Sequence, residues 1–301
     1  MRIIDIKGLV QPDPYILKSN NDYYIYSTGV DGIHCYKSDN LFEGWKHIGI
    51  VFSQIGQKEY WAPSVIERNG RFFMYYSSMP VGEEDTHTEN IKLAVCDTPD
   101  GKFEFVKDIL TPFSIDAHVV ENSAGLWMFY SQNKYVGDKV GTYIVVDRME
   151  NEYTISGNPK PVVLPSIEEE IFQKNRFKEG QDWYTIEGAY YFKKDGWHYC
   201  IYSANCYFKS EYHLGYASCK GDSDELDKLV FVKHSANKYC PLLSANETEI
   251  STGHNSLIEV DGQLYLVYHG RDITSDLSKD DRTARVCKLF ADNGVLRVER
   301  M

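Results

Sequence analysis

The chain has 301 residues, of which 43% are hydrophobic, and this is enough to bury a sizeable core without disulfide bonds. Its formal net charge of −12 has the wrong sign for neutralising phosphate groups, so we expect neither nucleic acid nor an anionic membrane as a partner. Aromatic residues make up 14% of the chain and include 23 tyrosines, a composition that favours β-strands.

The first residues resemble no targeting segment, because Asp5 and Lys7 interrupt the apolar run before it reaches signal-peptide length. No stretch approaches the roughly 18 apolar residues of a membrane span, so we expect a soluble protein. The seven cysteines are scattered and form no C-x-x-C pair, which favours reduced thiols over disulfides or structural zinc. Together these features predict a cytoplasmic location.

A short aromatic strand ending in tyrosine followed by serine or histidine occurs five times along the chain. The copies lie at 22–27, 71–77, 126–131, 197–203 and 263–269. Turn-forming residues such as Asn69-Gly70 and Asp195-Gly196 precede them, and these dipeptides are strong hairpin signals. Each copy is therefore predicted to be the second strand of a hairpin.

Further strands complete each predicted unit. The segment before each turn is short and rich in β-branched or aromatic residues, as a first strand requires. Segments at 35–39, 93–97 and 214–218 are predicted third strands, each followed by a fourth. A four-stranded unit repeated at roughly 50 to 70 residues is typical of propeller blades. The sequence thus predicts an all-β fold, a five-bladed β-propeller with residues 1–301 as a single catalytic domain, interrupted by one short helix at 166–175.

The inner strand of each blade lines the axis of a propeller, so equivalent positions on different blades converge. About 14 residues before each repeat tyrosine stand Asp13, Trp61 with Ala62, Asp116, Glu187 and His254. Each residue alone has a structural explanation, as a turn, cap, rim or core side chain. Three carboxylates directed at one axis repel one another and lose hydration, and this cost indicates a function.

Two carboxyl groups facing each other, one protonated and one ionised, are what the cleavage of a glycosidic bond requires. A third carboxyl group tunes the pKa of its neighbour through its charge. Trp61 offers an apolar platform for the face of a sugar, or is a core side chain.

Five motifs in order along the chain give it a resemblance to glycoside hydrolase family 43. They are QPDPYI, YWAPSVIERNGRFFMYYS, SIDAHVV, TIEGAYYFKKDGWHYCIYSAN and STGHNSLIEVDGQLYLVYHGRD. The resemblance covers nearly the whole chain. It implies a five-bladed β-propeller and an inverting hydrolase that acts on arabinose- and xylose-containing saccharides.

The resemblance also implies a role for each axial residue. Asp13 is the implied general base, Asp116 raises the pKa of the acid and orients it, and Glu187 is the general acid. His254 matches a histidine that holds a hydrated calcium ion (Ca2+), with axial hydrogen bonding as the alternative. Asn255 stands where the family usually has a second histidine, and this departure weakens the expectation of a bound metal.

Arg282 matches an arginine that reaches the sugar and the acidic cluster. Arg285 is the second candidate, and a surface arginine beside Asp280 and Asp281 is the structural alternative. For the inverting mechanism we predict that Asp13 and Glu187 stand about 6.5–9.5 Å apart, which leaves room for a water molecule.

The sequence favours an α-L-arabinofuranosidase that releases terminal arabinofuranose from arabinoxylan- or arabinan-derived oligosaccharides. A β-xylosidase acting on xylo-oligosaccharides is the alternative. A non-catalytic glycan-binding propeller is disfavoured by the three carboxylates. A retaining furanosidase of the invertase type is disfavoured because its N-D-P-N-G motif is absent. No nucleotide-binding loop is present, so we expect no redox cofactor.

Overall fold

The computed structural model describes residues 1–234 and 238–301. Alternating apolar residues and Asn-Gly or Asp-Gly turns fold this chain into consecutive antiparallel strands. Blade one contains β1 (Tyr15–Ser19), β2 (Asp22–Ser27), β3 (Ile33–Ser38) and β4 (Lys46–Phe52). Blade two contains β5 (Gln57–Arg68), β6 (Arg71–Pro80), β7 (Asn90–Cys96) and β8 (Glu104–Asp108).

The third and fourth blades are joined by three residue pairs between parallel strands, which begin at Val140 and Trp183. Blade three contains β9 (Ser114–Asn122), β10 (Gly125–Lys134) and β11 (Val140–Asn151), with β12 (Thr154–Ile155) and β13 (Lys160–Val163) on its outer edge. Blade four contains β14 (Ile171–Gln173), β15 (Trp183–Lys194), β16 (Trp197–Ala204), β17 (His213–Lys220) and β18 (Val232–Lys233).

Blade five contains β19 (Glu249–Val260), β20 (Gln263–Asp272), β21 (Thr283–Asp292) and β22 (Val295–Arg300). In every blade the first three long strands follow one another in chain order, each antiparallel to the one before. The predicted five-bladed β-propeller is therefore confirmed. Within the described residues, helix is limited to single 3₁₀ turns at Thr86–Thr88, Glu168–Glu170 and Leu226–Lys228, and no helix is long and apolar enough to span a membrane.

The helix predicted at 166–175 is wrong. A 3₁₀ turn at Glu168–Glu170 leads directly into β14. The buried Glu170 carboxylate accepts the backbone N–H groups of Ser166 and Ile167, at 2.6 and 3.3 Å, and pairs with Lys233. Pairing of Ile171 with β15 then extends the chain. Tertiary contacts have overridden the helical propensity of the three glutamates.

The hydrophobic core is divided among the interfaces between neighbouring blades, which five apolar clusters fill. The repeat tyrosines lie in these clusters and are at most 2% exposed. They are Tyr26, Tyr76, Tyr130, Tyr202 and Tyr268. Their abundance therefore reflects the packing of blade against blade.

The N-terminal segment ties the last blade to the first. The backbone N–H of Ile3 donates to Ala284 O at 3.0 Å, and that of Gln11 donates to Arg282 O at 2.8 Å. Ile3 and Ile4 are buried in the cluster between blades five and one. Asp13 follows two residues after the contact of Gln11 with Arg282. The contacts that close the ring of blades therefore also position Asp13.

Candidate active site

At equivalent positions near the inner ends of the five blades lie residues with a left-handed backbone. These residues are Asp13 (φ 51°), Ala62 (φ 45°), Asp116 (φ 59°), Gly188 (φ 62°) and His254 (φ 44°). In blades two to five the pairing of the inner strand shifts at this point, which is the mark of a β-bulge. A bulge re-aims side chains, and here it turns them toward the axis.

Glu187 differs from the other two carboxylates in its place on the bulge. Gly188 holds the left-handed position that Asp116 holds in its own blade, so Glu187 lies one residue earlier, in the place of Trp61. The backbone N–H of Gly188 donates to Asp116 Oδ2 at 3.1 Å. This bond ties the Asp116 carboxyl group of blade three to the backbone beside Glu187 in blade four.

All six residues singled out in the sequence line one cavity of about 80 Å³. They are Asp13, Trp61, Asp116, Glu187, His254 and Arg282. The remaining lining residues are Thr28, Ile115, Tyr207 and Tyr212. The structure therefore brings together every predicted site residue.

Asp13 is surrounded by donors. Thr28 Oγ1 donates to Asp13 Oδ2 at 2.6 Å, and Arg282 Nη1 donates to Asp13 Oδ1 at 3.2 Å. The Asp13 backbone N–H donates to His269 Nδ1 at 3.1 Å. Burial raises the pKa of Asp13, but the Arg282 charge together with His254 and His269 outweighs burial and holds this pKa well below its ordinary value. Asp13 is therefore an ionised carboxylate across the whole neutral range.

Asp116 and Glu187 are buried together, and each is disfavoured as an anion. Burial, with the negative charges of Glu187 and Asp13, raises the pKa of Asp116 well above its ordinary value. Burial raises the pKa of Glu187 to about 7, against the opposing hydrogen bond from Tyr212. Because the two groups interact, their protons belong to the pair. The site thus holds one firmly ionised carboxylate beside a carboxyl pair that retains at least one proton near neutral pH.

Tyr212 is a site residue that sequence reasoning missed. Its hydroxyl donates to Glu187 Oε1 at 2.7 Å, and its ring stacks on His269 with centroids 5.7 Å apart. A Cβ at Gly253 would lie 1.9 Å from Tyr212 Cε1, so only glycine leaves room for this ring. Buried on both faces, Tyr212 holds Glu187 in place.

Arg282, rather than Arg285, reaches the carboxylates. Arg282 makes a two-point bond to Asp280, at 2.9 and 2.7 Å, while Nη1 reaches Asp13. Its guanidinium lies 4.4 Å from the centroid of the Tyr207 ring. Arg285 instead pairs with Glu249 and Asp272 within blade five. Arg282 is only 6% exposed, so the alternative of a surface arginine is wrong.

Trp61 forms part of the cavity wall and is partly exposed. Its Nε1 donates to Glu59 Oε2 at 3.1 Å, which fixes the indole on the rim. An indole face that is fixed but not buried in the core suits the apolar face of a sugar.

His254 faces the carboxylate. Its Nδ1 lies 3.5 Å from Asp13 Oδ1, and burial lowers its pKa, so the imidazole is neutral near pH 7. Behind it, a cavity of about 10 Å³, roughly one water molecule in size, is lined by inner-strand residues of all five blades. The Asn255 side-chain amide is buried beside this cavity and has no hydrogen-bond partner within residues 1–234 and 238–301.

Calcium takes six to eight oxygen ligands in most protein sites. Among residues 1–234 and 238–301 there is no cluster of three or more His, Cys, Asp or Glu side chains suited to a metal. The residues around His254 therefore do not fit a calcium ion held directly by protein ligands. The hydrated ion implied by the sequence stays a prediction.

Of the residues that the sequence did not single out, some carried a signal and others did not. The fifth repeat strand ends in Tyr-His where the others end in Tyr-Ser, and that histidine is His269, which contacts Asp13. Tyr207 and Tyr212 lie in the irregular segment between β16 and β17, outside the repeated pattern. Nothing in the repeat predicts their position.

Comparison with known proteins identifies the family of the chain. The model of "Glycosyl hydrolases family 43" matches residues 6–295. An "Extracellular exo-alpha-(1->5)-L-arabinofuranosidase" of Streptomyces avermitilis is 25% identical over 92% of this chain and 59% of its own length. A "Xylosidase/arabinosidase" of Thermoclostridium stercorarium is 21% identical over 93% of this chain and 58% of its own length. The chain thus spans about three fifths of these curated relatives.

Among solved structures, a thermostable family-43 glycoside hydrolase superposes with a TM-score of 0.80 at 27% identity, over 98% of this chain and 96% of the other. The fold, the ordered motifs and the family match over nearly the whole chain agree with one another. The chain belongs to family 43 of the glycosyl hydrolases.

Proposed function

We propose that the protein is an inverting α-L-arabinofuranosidase that releases terminal arabinofuranose from arabinoxylan- or arabinan-derived oligosaccharides. One observation carries the proposal: a single cavity holds Asp13, whose pKa is depressed, and Glu187, whose pKa is raised to about 7. Carboxyl groups whose pKa values are driven apart are suited to act as base and acid in glycoside hydrolysis.

The reaction follows from these protonation states. Glu187 gives its proton to the leaving oxygen as the bond from that oxygen to the anomeric carbon breaks. Asp13 takes a proton from a water molecule, whose oxygen bonds to the anomeric carbon on the opposite face. The leaving sugar departs as an alcohol, Asp13 releases its proton to solvent, and Glu187 regains a proton from solvent. The separation of about 6.5–9.5 Å between the two carboxyl groups stays a prediction of this mechanism.

The other site residues support this exchange. Arg282 keeps Asp13 ionised, so the base is ready in the free enzyme. Asp116 accepts the backbone N–H beside Glu187 and so fixes the chain that carries the acid, and ionisation of either carboxyl group opposes ionisation of the other. Tyr212 fixes the orientation of Glu187. Each residue therefore acts on the position or protonation of one of the two reacting groups.

The choice of sugar rests on the relatives and on the size of the site. A cavity of about 80 Å³ with walls on several sides suits one terminal pentose better than the middle of a polymer. The relative named as an exo-arabinofuranosidase supports arabinofuranose. β-Xylosidase is the second candidate, which the relative named as a xylosidase/arabinosidase favours.

Nitrophenyl α-L-arabinofuranoside and β-D-xyloside, with wild type, Glu187→Ala and Asp13→Asn, test the proposal. We expect the arabinofuranoside to be the better substrate and each variant to lose about 10²- to 10⁴-fold in kcat. Asp97→Asn, at an exposed position on the rim of blade two, is the control and should retain wild-type rates. Wild-type rates in both site variants would overturn the assignment. Binding of oligosaccharides without hydrolysis would favour a glycan-binding propeller.

Two further predictions await their own measurements. If a hydrated calcium ion occupies the cavity behind His254, EDTA lowers the midpoint temperature of thermal unfolding and added Ca2+ restores it. An unchanged midpoint would show that no such ion is bound.

The cytoplasmic location stays a prediction, and the relative from Streptomyces avermitilis is named as extracellular. Fractionation of the source cells decides between the two compartments.

A further inference from the structure

A second cavity, of about 160 Å³, adjoins the catalytic cavity. The two share four lining residues, namely Trp61, Ile115, Glu187 and Tyr207. Glu187 therefore stands at the boundary between them. Because the acid protonates the leaving oxygen, the sugar beyond that oxygen enters the second cavity when the terminal sugar fills the first.

Arg176 gives the second cavity an unusual wall. It lies in the loop between β14 and β15, with its guanidinium 5.0 Å from the Phe172 ring centroid, 5.4 Å from that of Phe177 and 5.2 Å from that of Trp183. Aromatic faces attract a cation but do not neutralise it. The three rings thus position a charge at the edge of the site.

The guanidinium of Arg176 makes no ion pair and no hydrogen bond with any residue that the structure describes. The charge of Asp85 acts on Arg176, but this carboxylate bonds to His87 Nδ1 at 2.6 Å. Burial lowers the pKa of Arg176, whereas its bonds to two carboxylates raise that of Arg282. Five N–H donors of Arg176 are left for a ligand or for water.

A planar guanidinium with free donors matches a carboxylate, which it binds through two parallel hydrogen bonds. A neutral sugar needs only the aromatic walls, which are already present as Trp61 and Trp183. The chain as a whole carries a net charge of −12 and repels acidic saccharides. The unpaired guanidinium of Arg176, which lines the second cavity together with Glu187, offsets this repulsion at the site itself.

We propose that the second cavity is a leaving-group subsite for a sugar that carries a carboxylate, that is, a uronic acid, which Arg176 binds. This inference rests on the proposed function, because it places the leaving group on the Glu187 side. It adds a preference for substrates in which the terminal sugar is linked to a uronic acid.

The test compares two arabinofuranosides of one linkage, whose leaving sugar is a uronic acid or its methyl ester. For wild type we expect kcat/KM about five to tenfold higher on the acid, the size of one partly exposed ion pair. Arg176→Gln removes the preference by lowering only the rate on the acid, and Arg176→Lys restores part of it. Lys174→Gln, at an exposed position in the same loop, leaves both rates unchanged.

Equal rates of wild type on acid and ester would overturn the inference, as would an equal loss on both in Arg176→Gln, because Arg176 would then only support the aromatic wall. Nitrophenyl arabinofuranoside, which lacks the acidic group, reports the proposed function separately. Calorimetric binding of the same acid and ester to Asp13→Asn, with and without Arg176→Gln, gives a second readout that needs no turnover. A preference lost with Arg176 supports the subsite, and its absence overturns it.

Discussion

At the scale of single residues, the chemistry depends on how the protein sets the proton affinity of Glu187. Burial and the charge of Asp13 raise its pKa, whereas the Tyr212 hydroxyl and Arg282 lower it, and the balance lies at about 7. An acid with this pKa is protonated below pH 7, is partly protonated near neutral pH and gives up its proton readily. The activity is therefore expected to fall as the pH rises through about 7.

Replacing Tyr212 by phenylalanine tests this balance. The lost hydrogen bond had favoured the carboxylate, so the pKa of Glu187 rises and the basic limb of the kcat/KM profile moves up by roughly one pH unit. We also expect about a tenfold lower rate at the optimum, because Glu187 loses its orienting partner. Tyr76→Phe is the control, since that buried hydroxyl has no hydrogen-bond partner among the residues that the structure describes. An unmoved basic limb in Tyr212→Phe would contradict the role given to Tyr212.

Glu187 also makes stability depend on pH. The pKa of Glu187 in the folded protein, about 7, lies above its ordinary value near 4.5. The contribution of this group to the free energy of unfolding is therefore fully present below pH 4.5 and is lost as the pH rises through about 7. Glu187→Gln is always neutral and still accepts from Tyr212. We expect this variant to exceed the wild type in unfolding free energy by about 1–3 kcal/mol at pH 8 and by much less at pH 5. Denaturant melts at both pH values measure the difference, and an equal difference at both would contradict the assigned pKa.

The axial carboxylates were predictable from the sequence because they recur at a fixed distance before the repeat tyrosines. Tyr212 and Arg176 were not, since both lie in irregular segments whose path depends on tertiary contacts. Residue type alone says little there. A tyrosine or an arginine gains a role only when the fold places it beside Glu187.

At the scale of elements, the bulge at the inner end of each blade combines backbone strain with function. Non-glycine residues in the left-handed region cost about 1–2 kcal/mol each, and the fold holds four of them around one axis, at Asp13, Ala62, Asp116 and His254. The sequence predicted the strands and the convergence of their ends. It did not predict that Glu187 lies one residue before the bulge position, because period-two patterns do not reveal a bulge.

Gly188→Ala tests the importance of the bulge in blade four. An added Cβ would lie 3.1 Å from His254 Nδ1 and 3.3 Å from Ser203 Oγ, at a φ of 62°. Gly262→Ala is the matched control, with a φ of 78° and open space around the new Cβ. We expect both to lose about 1 kcal/mol of stability and only Gly188→Ala to lose at least tenfold in kcat. Equal activity in the two variants would show that the bulge geometry is not needed.

At the scale of the whole molecule, the site exists only when the ring of blades is closed, since each blade supplies part of it. The segment before β1 binds blade five through Ile3 and Gln11, and Asp13 follows directly. Hydrophobic patterning predicted five units but not this contact between the N-terminal segment and blade five. The contacts of the N-terminal segment join residues more than 270 positions apart in the chain, as the bond from Ala284 to Gln11 shows.

Ile4→Ala weakens the packing of the N-terminal segment between blades five and one. Ile4 is fully buried between blades five and one, so its truncation is expected to cost about 2–5 kcal/mol. Ile55→Ala, at a fully exposed isoleucine, should stay within about 0.5 kcal/mol of wild type. Chemical denaturation of both variants measures the difference. A cost at Ile4 no larger than that at Ile55 would mean that the segment does not hold the ring together.

The stereochemistry of hydrolysis tests the central claim most directly, because it depends on Asp13 activating water opposite the bond that Glu187 breaks. Proton NMR recorded in the first minutes on an α-L-arabinofuranoside identifies the anomer released before mutarotation. We predict that β-arabinofuranose appears first. First appearance of the α-anomer would mean a covalent intermediate, and would contradict the roles assigned to Asp13 and Glu187.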